Sequence, residues 1–97
     1  MFDLTGFQRD IVYVIAGRED PTGVAVKEGL GRCYDVEINH GRLYPNLDTL
    51  VDADLVVKRA KNDRANIYKL SDRGITALRE RRQWENKHLR KSQAVIG

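Results

Sequence analysis

Between residues 39 and 46 the chain carries five side chains that donate or accept hydrogen bonds: Asn39, His40, Arg42, Tyr44 and Asn46. Further on, Lys58, Arg59, Lys61, Asn62 and Arg64 crowd together, with Lys69 just beyond. Neither group is equipped for covalent chemistry. The chain has no Ser/His/Asp arrangement, no glycine-rich phosphate loop and no helical pair of histidines, so the catalytic set is empty and no cofactor is expected. Guanidinium, ammonium and amide groups can instead bind an extended anion reversibly. Arginine pairs with guanine and asparagine with adenine in a DNA major groove, while lysine and arginine meet phosphates.

Such side chains need elements to hold them. Leu43, Leu47, Leu50 and Val51 fall at i, i+4, i+7 and i+8, which is one face of a helix starting near Asn39. Pro45 removes the amide that would bond the Gly41 carbonyl. It lies only about a turn inside the helix, and Gly41 offers no Cβ to clash. An apolar back with a hydrogen-bonding front meets the requirements of a recognition helix. Arg42, the one fully charged donor on that front, is the candidate base reader, with a phosphate clamp as the alternative. Residues 55–60 and 66–70 are rich in β-branched residues and read as two strands, joined through the turn chemistry of Asn62 and Asp63. A hairpin this basic suits a wing along a phosphate backbone.

Two helices should precede these elements. Thr5 and Gln8 form a capping box, followed by the stripe Phe7, Ile11, Val14 and Ile15, which stops at Gly17. So apolar a helix in a small chain is expected to lie between the core and a partner subunit. Thr22 caps a second helix with Val26, Leu30 and Cys33 on its buried side, weakened by about 1 kcal/mol at each of Gly23, Gly29 and Gly31. Cys33 is expected to act as a small buried hydrophobe, and a redox sensor is the rival reading. Residues 34–37 make a connection of helix-turn-helix length.

After the hairpin, Ser71 caps a last helix from residue 72 to about 92, with Leu70 and Ile75 placed as a staple. Its apolar stripe is thin, consisting of Ile75, Leu78, Trp84 and Leu89, interrupted by Arg81 and Arg82. Trp84 and Leu89 are expected to meet a second copy, with Phe7, Ile11 and Leu78 completing the dimer interface. Trp84 has an alternative use as a ligand platform. Residues 93–97 are expected to fray.

Composition agrees with one small domain. The chain has 97 residues, 41% hydrophobic and 32% charged. It has no apolar run of transmembrane length and no signal peptide, so an intracellular, cytoplasmic and nucleoid-associated protein is expected. One cysteine excludes an internal disulfide, and His40 and His88 are too far apart in the chain to suggest a metal site. The net charge of +3 is unevenly placed. Residues 1–53 hold 5 Lys/Arg against 9 Asp/Glu, and residues 54–97 hold 12 against 5, so the second half is the anion-facing one.

The order helix, helix, helix, hairpin, helix is that of a winged helix-turn-helix. The segment Gly41-Arg42-Leu43-Tyr44-Pro45-Asn46-Leu47-Asp48-Thr49-Leu50, followed by Leu55-Val56 and Asn66-Ile67-Tyr68-Lys69-Leu70-Ser71-Asp72-Arg73-Gly74, resembles the PadR family of transcriptional regulators. The openings 2–10 and 38–45 resemble its haloarchaeal branch. Where the family carries glycine after the third helix this chain has Asp54, so that turn is expected to be built differently. The resemblance implies a homodimer pairing through its C-terminal helices, regulating transcription, with an aromatic-lined space between the halves for a small-molecule effector. The expected architecture is mainly α with a small β-hairpin. A winged helix-turn-helix over 1–70 and a dimerisation helix over 71–97 would form one compact unit. The expected partner is a pseudo-palindromic double-stranded DNA operator, with no membrane role. A nonspecific architectural DNA-binding protein is the alternative.

Overall fold

The computed structural model describes residues 1–91. Its elements run α1 (Gly6–Ala16), α2 (Gly23–Tyr34), α3 (His40–Asp52), β1 (Val56–Ala60), β2 (Asn66–Leu70) and α4 (Asp72–Lys91). Short-range hydrogen bonds set most of these boundaries. The Thr5 hydroxyl accepts from the Gln8 amide and the Gln8 side chain accepts from the Thr5 amide, each at 3.1 Å, which is the expected capping box. Thr22 accepts from the Ala25 amide at 3.1 Å to start α2, and Asn39 accepts from the Gly41 amide at 2.7 Å to start α3. Ser71 accepts from the Gly74 amide at 3.0 Å to start α4.

α1 is the hub. It touches α2, α3, α4 and β2, and it buries Phe7, Ile11, Val12, Val14 and Ile15. Val26 and Leu30 from α2, Leu43, Leu47 and Leu50 from α3, and Leu55, Val56 and Tyr68 from the hairpin close around it. The placement of α1 against a partner subunit is thereby corrected. Ile11 is 0% exposed and Phe7 8%, so both are committed to the protomer's own core and have no surface left for an interface. The inward face of so small a domain needs every large side chain it has.

β1 and β2 pair antiparallel, with Val56 opposite Leu70, Lys58 opposite Tyr68 and Ala60 opposite Asn66. The other edge of β2 is covered by the α1–α2 connection, where Pro21 accepts from the Tyr68 amide at 2.9 Å and Thr22 bridges Ile67. Asp54 has φ 60, a backbone conformation that suits glycine and that aspartate tolerates better than most residues. At Asp54 the turn after α3 therefore adopts a backbone geometry that glycine would also take. Its carbonyl accepts from the Ser71 hydroxyl at 2.6 Å, tying that turn to the cap of α4. Gly74 packs so closely on the Leu55 backbone that any Cβ there would collide with the Leu55 carbonyl.

A second correction concerns Cys33, which is exposed. The buried line of α2 continues from Leu30 to Tyr34, whose ring lies 6.1 Å from that of Phe7 and is half-buried. Cys33 is one helical position off that line. Residues 93–97, expected to fray, lie outside the described residues.

Candidate nucleic-acid interface

On α3 the front and back separate as the spacing predicts: Leu43, Leu47 and Leu50 are buried, and Gly41, Pro45, Asp48, Thr49 and Asp52 are exposed. The donors of the first turns are less free than their sequence suggests. Asn39 uses its oxygen as the helix cap. The Asn46 amide donates to the Arg42 carbonyl at 2.7 Å, and its oxygen accepts from the Gln8 side chain at 3.0 Å. Asn46 thus rivets α3 to the start of α1. Both asparagines thus also serve the fold, Asn39 through its oxygen at the cap and Asn46 through bonds at both ends of its half-buried amide.

Arg42 is exposed, yet its guanidinium lies over the Phe7 ring at 3.9 Å from the centroid. His40 is exposed and its ring stacks on Tyr44 at 4.2 Å. Tyr44 is half-buried and lies across Gly23, where there is no room for a Cβ. Its ring packs on α2 with the hydroxyl at that helix's first turn. Gln8, which the sequence reading assigned to a cap alone, turns out to join α1 to α3 as well, and nothing in its spacing signals that second bond.

The wing is different in kind. Arg59, Lys61, Arg64 and Lys69 are exposed, and no ion pair involving them occurs among the described residues. Lys58 shares a face of the hairpin with Tyr68 and turns toward α3, where its ammonium stands 4.0 Å from the Asp48 carboxylate. The Asn62 oxygen accepts from the Arg64 amide at 2.8 Å and the Ala65 amide at 3.0 Å, which is the expected turn chemistry. It shapes the tip. Asp48 is the α3 side chain that meets a wing cation, at the outer limit of an ion pair and without a hydrogen bond.

Two tyrosines mark where other elements meet. The Tyr34 hydroxyl donates to the Asp10 carboxylate. Burial first, and then that carboxylate, push Tyr34 up to about 12. The Tyr13 hydroxyl donates to Glu85 of α4 at 3.1 Å, and burial followed by this bond raises its pKa. Beyond this point α4 leaves the core. Arg81 lies over Trp84 at 4.4 Å, the Phe2 ring meets Trp84 edge-on at 5.3 Å, and His88 stacks on the same indole at 4.3 Å. Trp84 is still 40% exposed and Leu89 42%, whereas Leu78 is half-buried against the core. Among the described residues no three His, Cys, Asp or Glu side chains gather to hold a metal ion, and no helix is long and apolar enough to cross a membrane.

Comparison with known proteins places this geometry. Residues 11–80 match the family model of the transcriptional regulator PadR-like family, a family of regulators rather than enzymes. The structure is similar to RosR of H. salinarum, with 43% identity, 89% of this chain and 77% of that one covered, and a TM-score of 0.84. It is also similar to RosR in the RosR–S1 complex, with 39% identity, coverage of 98% and 84%, and a TM-score of 0.90. F93 from STIV, a winged-helix DNA-binding protein, shares the fold at 17% identity, with coverage of 88% and 94% and a TM-score of 0.70. No curated protein gives a significant match.

Proposed function

Because the chain belongs to the PadR-like family of transcriptional regulators and has the winged helix-turn-helix fold, we propose that it is a homodimeric repressor recognising a pseudo-palindromic double-stranded DNA operator by sequence. α3 enters the major groove and the β1–β2 wing tracks the neighbouring phosphates. The observation that carries this reading is the set of exposed wing cations, Arg59, Lys61, Arg64 and Lys69, next to an α3 that leaves His40, Arg42, Asp48 and Thr49 exposed. These four cations have no ion-pair partner among the described residues, and phosphate contact gives them one. His40 and Tyr44 add contacts at the start of α3.

Dimerisation is supported by the far part of α4, where Trp84 and Leu89 remain substantially exposed on a helix that has already left the core. Two-fold pairing there would set the two copies of α3 about 34–36 Å apart, one DNA turn. Repression then follows from occupancy of a promoter, with an effector between the dimer halves as the inducing signal. The protein would act in the cytoplasm, on the nucleoid, without a cofactor. The rival reading, a nonspecific architectural binder, draws on the engagement of Asn39 and Asn46 inside the fold, which thins the donors available to bases.

The test is selection of bound duplexes from a random library, followed by footprinting of the enriched sequence. A palindrome with half-sites one turn apart is expected. Equal retention of all sequences would replace this reading by the architectural one. Sedimentation of Trp84→Ala and Leu89→Ala tests the interface, where a loss of a few kcal/mol is expected of anchor residues. An unchanged dimer at low concentration would remove α4 from that role.

A further inference from the structure

The front of α3 carries an acid where a DNA-facing helix would be expected to carry a donor. Asp48 lies opposite Leu43, Leu47 and Leu50, between Gly41 and Pro45 on one side and Asp52 on the other. Its side chain is 62% exposed, and it caps no helix. Its sole ionic neighbour among the described residues, the Lys58 ammonium at 4.0 Å, is too distant for a hydrogen bond. Both carboxylate oxygens therefore keep their accepting capacity. An acid facing phosphates is repelled, so its presence is accounted for by an attractive contact to a donor on a base edge. Asp52, at the last position of α3, lacks the wing lysine beside it.

We propose that Asp48 reads a cytosine, accepting from its exocyclic amine in the major groove, with Lys58 beside it offsetting the carboxylate's charge near the backbone. The cytosine amine is a donor that a carboxylate can accept from, whereas the guanine and thymine edges present oxygen or nitrogen acceptors that repel it. Adenine also presents an amine, but with the N7 acceptor beside it, so a carboxylate repelled by guanine and thymine fits cytosine best. Thr49 beside it donates its hydroxyl to the Pro45 carbonyl at 3.0 Å, so it too faces the groove mainly as an acceptor. At their positions on α3, Asp48 and Thr49 are in this way matched to a base that presents an amine.

This inference rests on α3 lying in the major groove, and the experiment separates the two. The wild-type protein, Asp48→Ala, Asp48→Asn and Lys58→Met each select from a random duplex library, and binding to the wild-type consensus and to unselected DNA is then measured. Asp48→Ala is expected to lose about tenfold of preference for C·G at one symmetric pair of positions, while binding unselected DNA more tightly because a negative charge has gone. Asp48→Asn should move that position toward A·T, since asparagine pairs with adenine. Lys58→Met should weaken the same preference without replacing it. An unchanged consensus with Asp48→Ala, with both affinities rising by the same factor, would show Asp48 to be a repulsive charge alone and overturn the proposal. A move of the preferred base to adenine already in the wild-type consensus would overturn the cytosine assignment. A library from which the wild-type enriches nothing would sink sequence recognition itself, and the role of Asp48 with it.

Discussion

Helix α3 and the wing carry similar numbers of polar side chains, yet they use them in opposite ways. On α3, Asn39, Arg42 and Asn46 are drawn back onto the fold, as a cap, over the Phe7 ring, and as a rivet to Gln8. On the wing, Arg59, Lys61, Arg64 and Lys69 extend into solvent. The difference comes from what lies within reach. α3 is packed against α1 and α2, so orphan amides and carbonyls are close at hand and a short amide finds them. The wing projects beyond the core, and long charged side chains there keep their hydration and rotamer freedom until an anion arrives. Polarity in a sequence therefore does not by itself mark a side chain as available for binding.

The sharpest way to break the comparison is to remove the back that supports α3. Leu47→Ala opens a cavity in a fully buried site and should cost about 2–5 kcal/mol, read by urea denaturation, with DNA binding lost in step with folding. If Leu47→Ala left stability unchanged, α3 would not be held by its apolar face. The next largest effect is expected at the rivet. Asn46→Ala removes two hydrogen bonds at a half-buried site and should destabilise by about 1–3 kcal/mol, lowering affinity for all DNA sequences alike. A stable variant with relaxed preference at a single base pair would return Asn46 to the groove.

On the wing the expectation reverses. Arg64→Ala should change stability by no more than about 0.5 kcal/mol. It should weaken binding to consensus and random DNA together and reduce the salt slope by about one. Salt-dependent titrations on both DNAs would show it, and a variant that lost consensus binding alone would make Arg64 a reader of bases. The smallest effect concerns the edge of the α3 environment. The Tyr34 pKa is raised from 10.0 to about 12 by burial and by Asp10, so the folded state favours the neutral phenol. Its contribution is complete below pH 10 and is lost as pH rises through about 12. Denaturation midpoints of the wild type should fall over that window more steeply than those of Tyr34→Phe, and parallel curves would dismiss the Tyr34–Asp10 contact as a source of stability.

Much of the molecule follows from the sequence alone, because the interactions involved are local. Thr5 with Gln8, Thr22, Asn39 and Ser71 each bond an amide within three residues, so the starts of the four helices could be read directly. The 3.6-residue spacing of Leu43, Leu47 and Leu50, the turn chemistry around Asn62 and the run of cations on the hairpin are equally local, and together they supply the order of elements and the basic wing. Tertiary structure decided the rest. Whether Ile11 serves this core or a partner, whether Asn46 meets Gln8, whether Cys33 or Tyr34 continues the buried line of α2, and whether Lys58 meets Asp48 all depend on where a second element comes to lie. Residues 38 positions apart, such as Gln8 and Asn46, show no mutual signal along the chain. Their bond exists only because the apolar faces of α1 and α3 bring them together, and the same packing leaves Asp48 facing outward beside the wing.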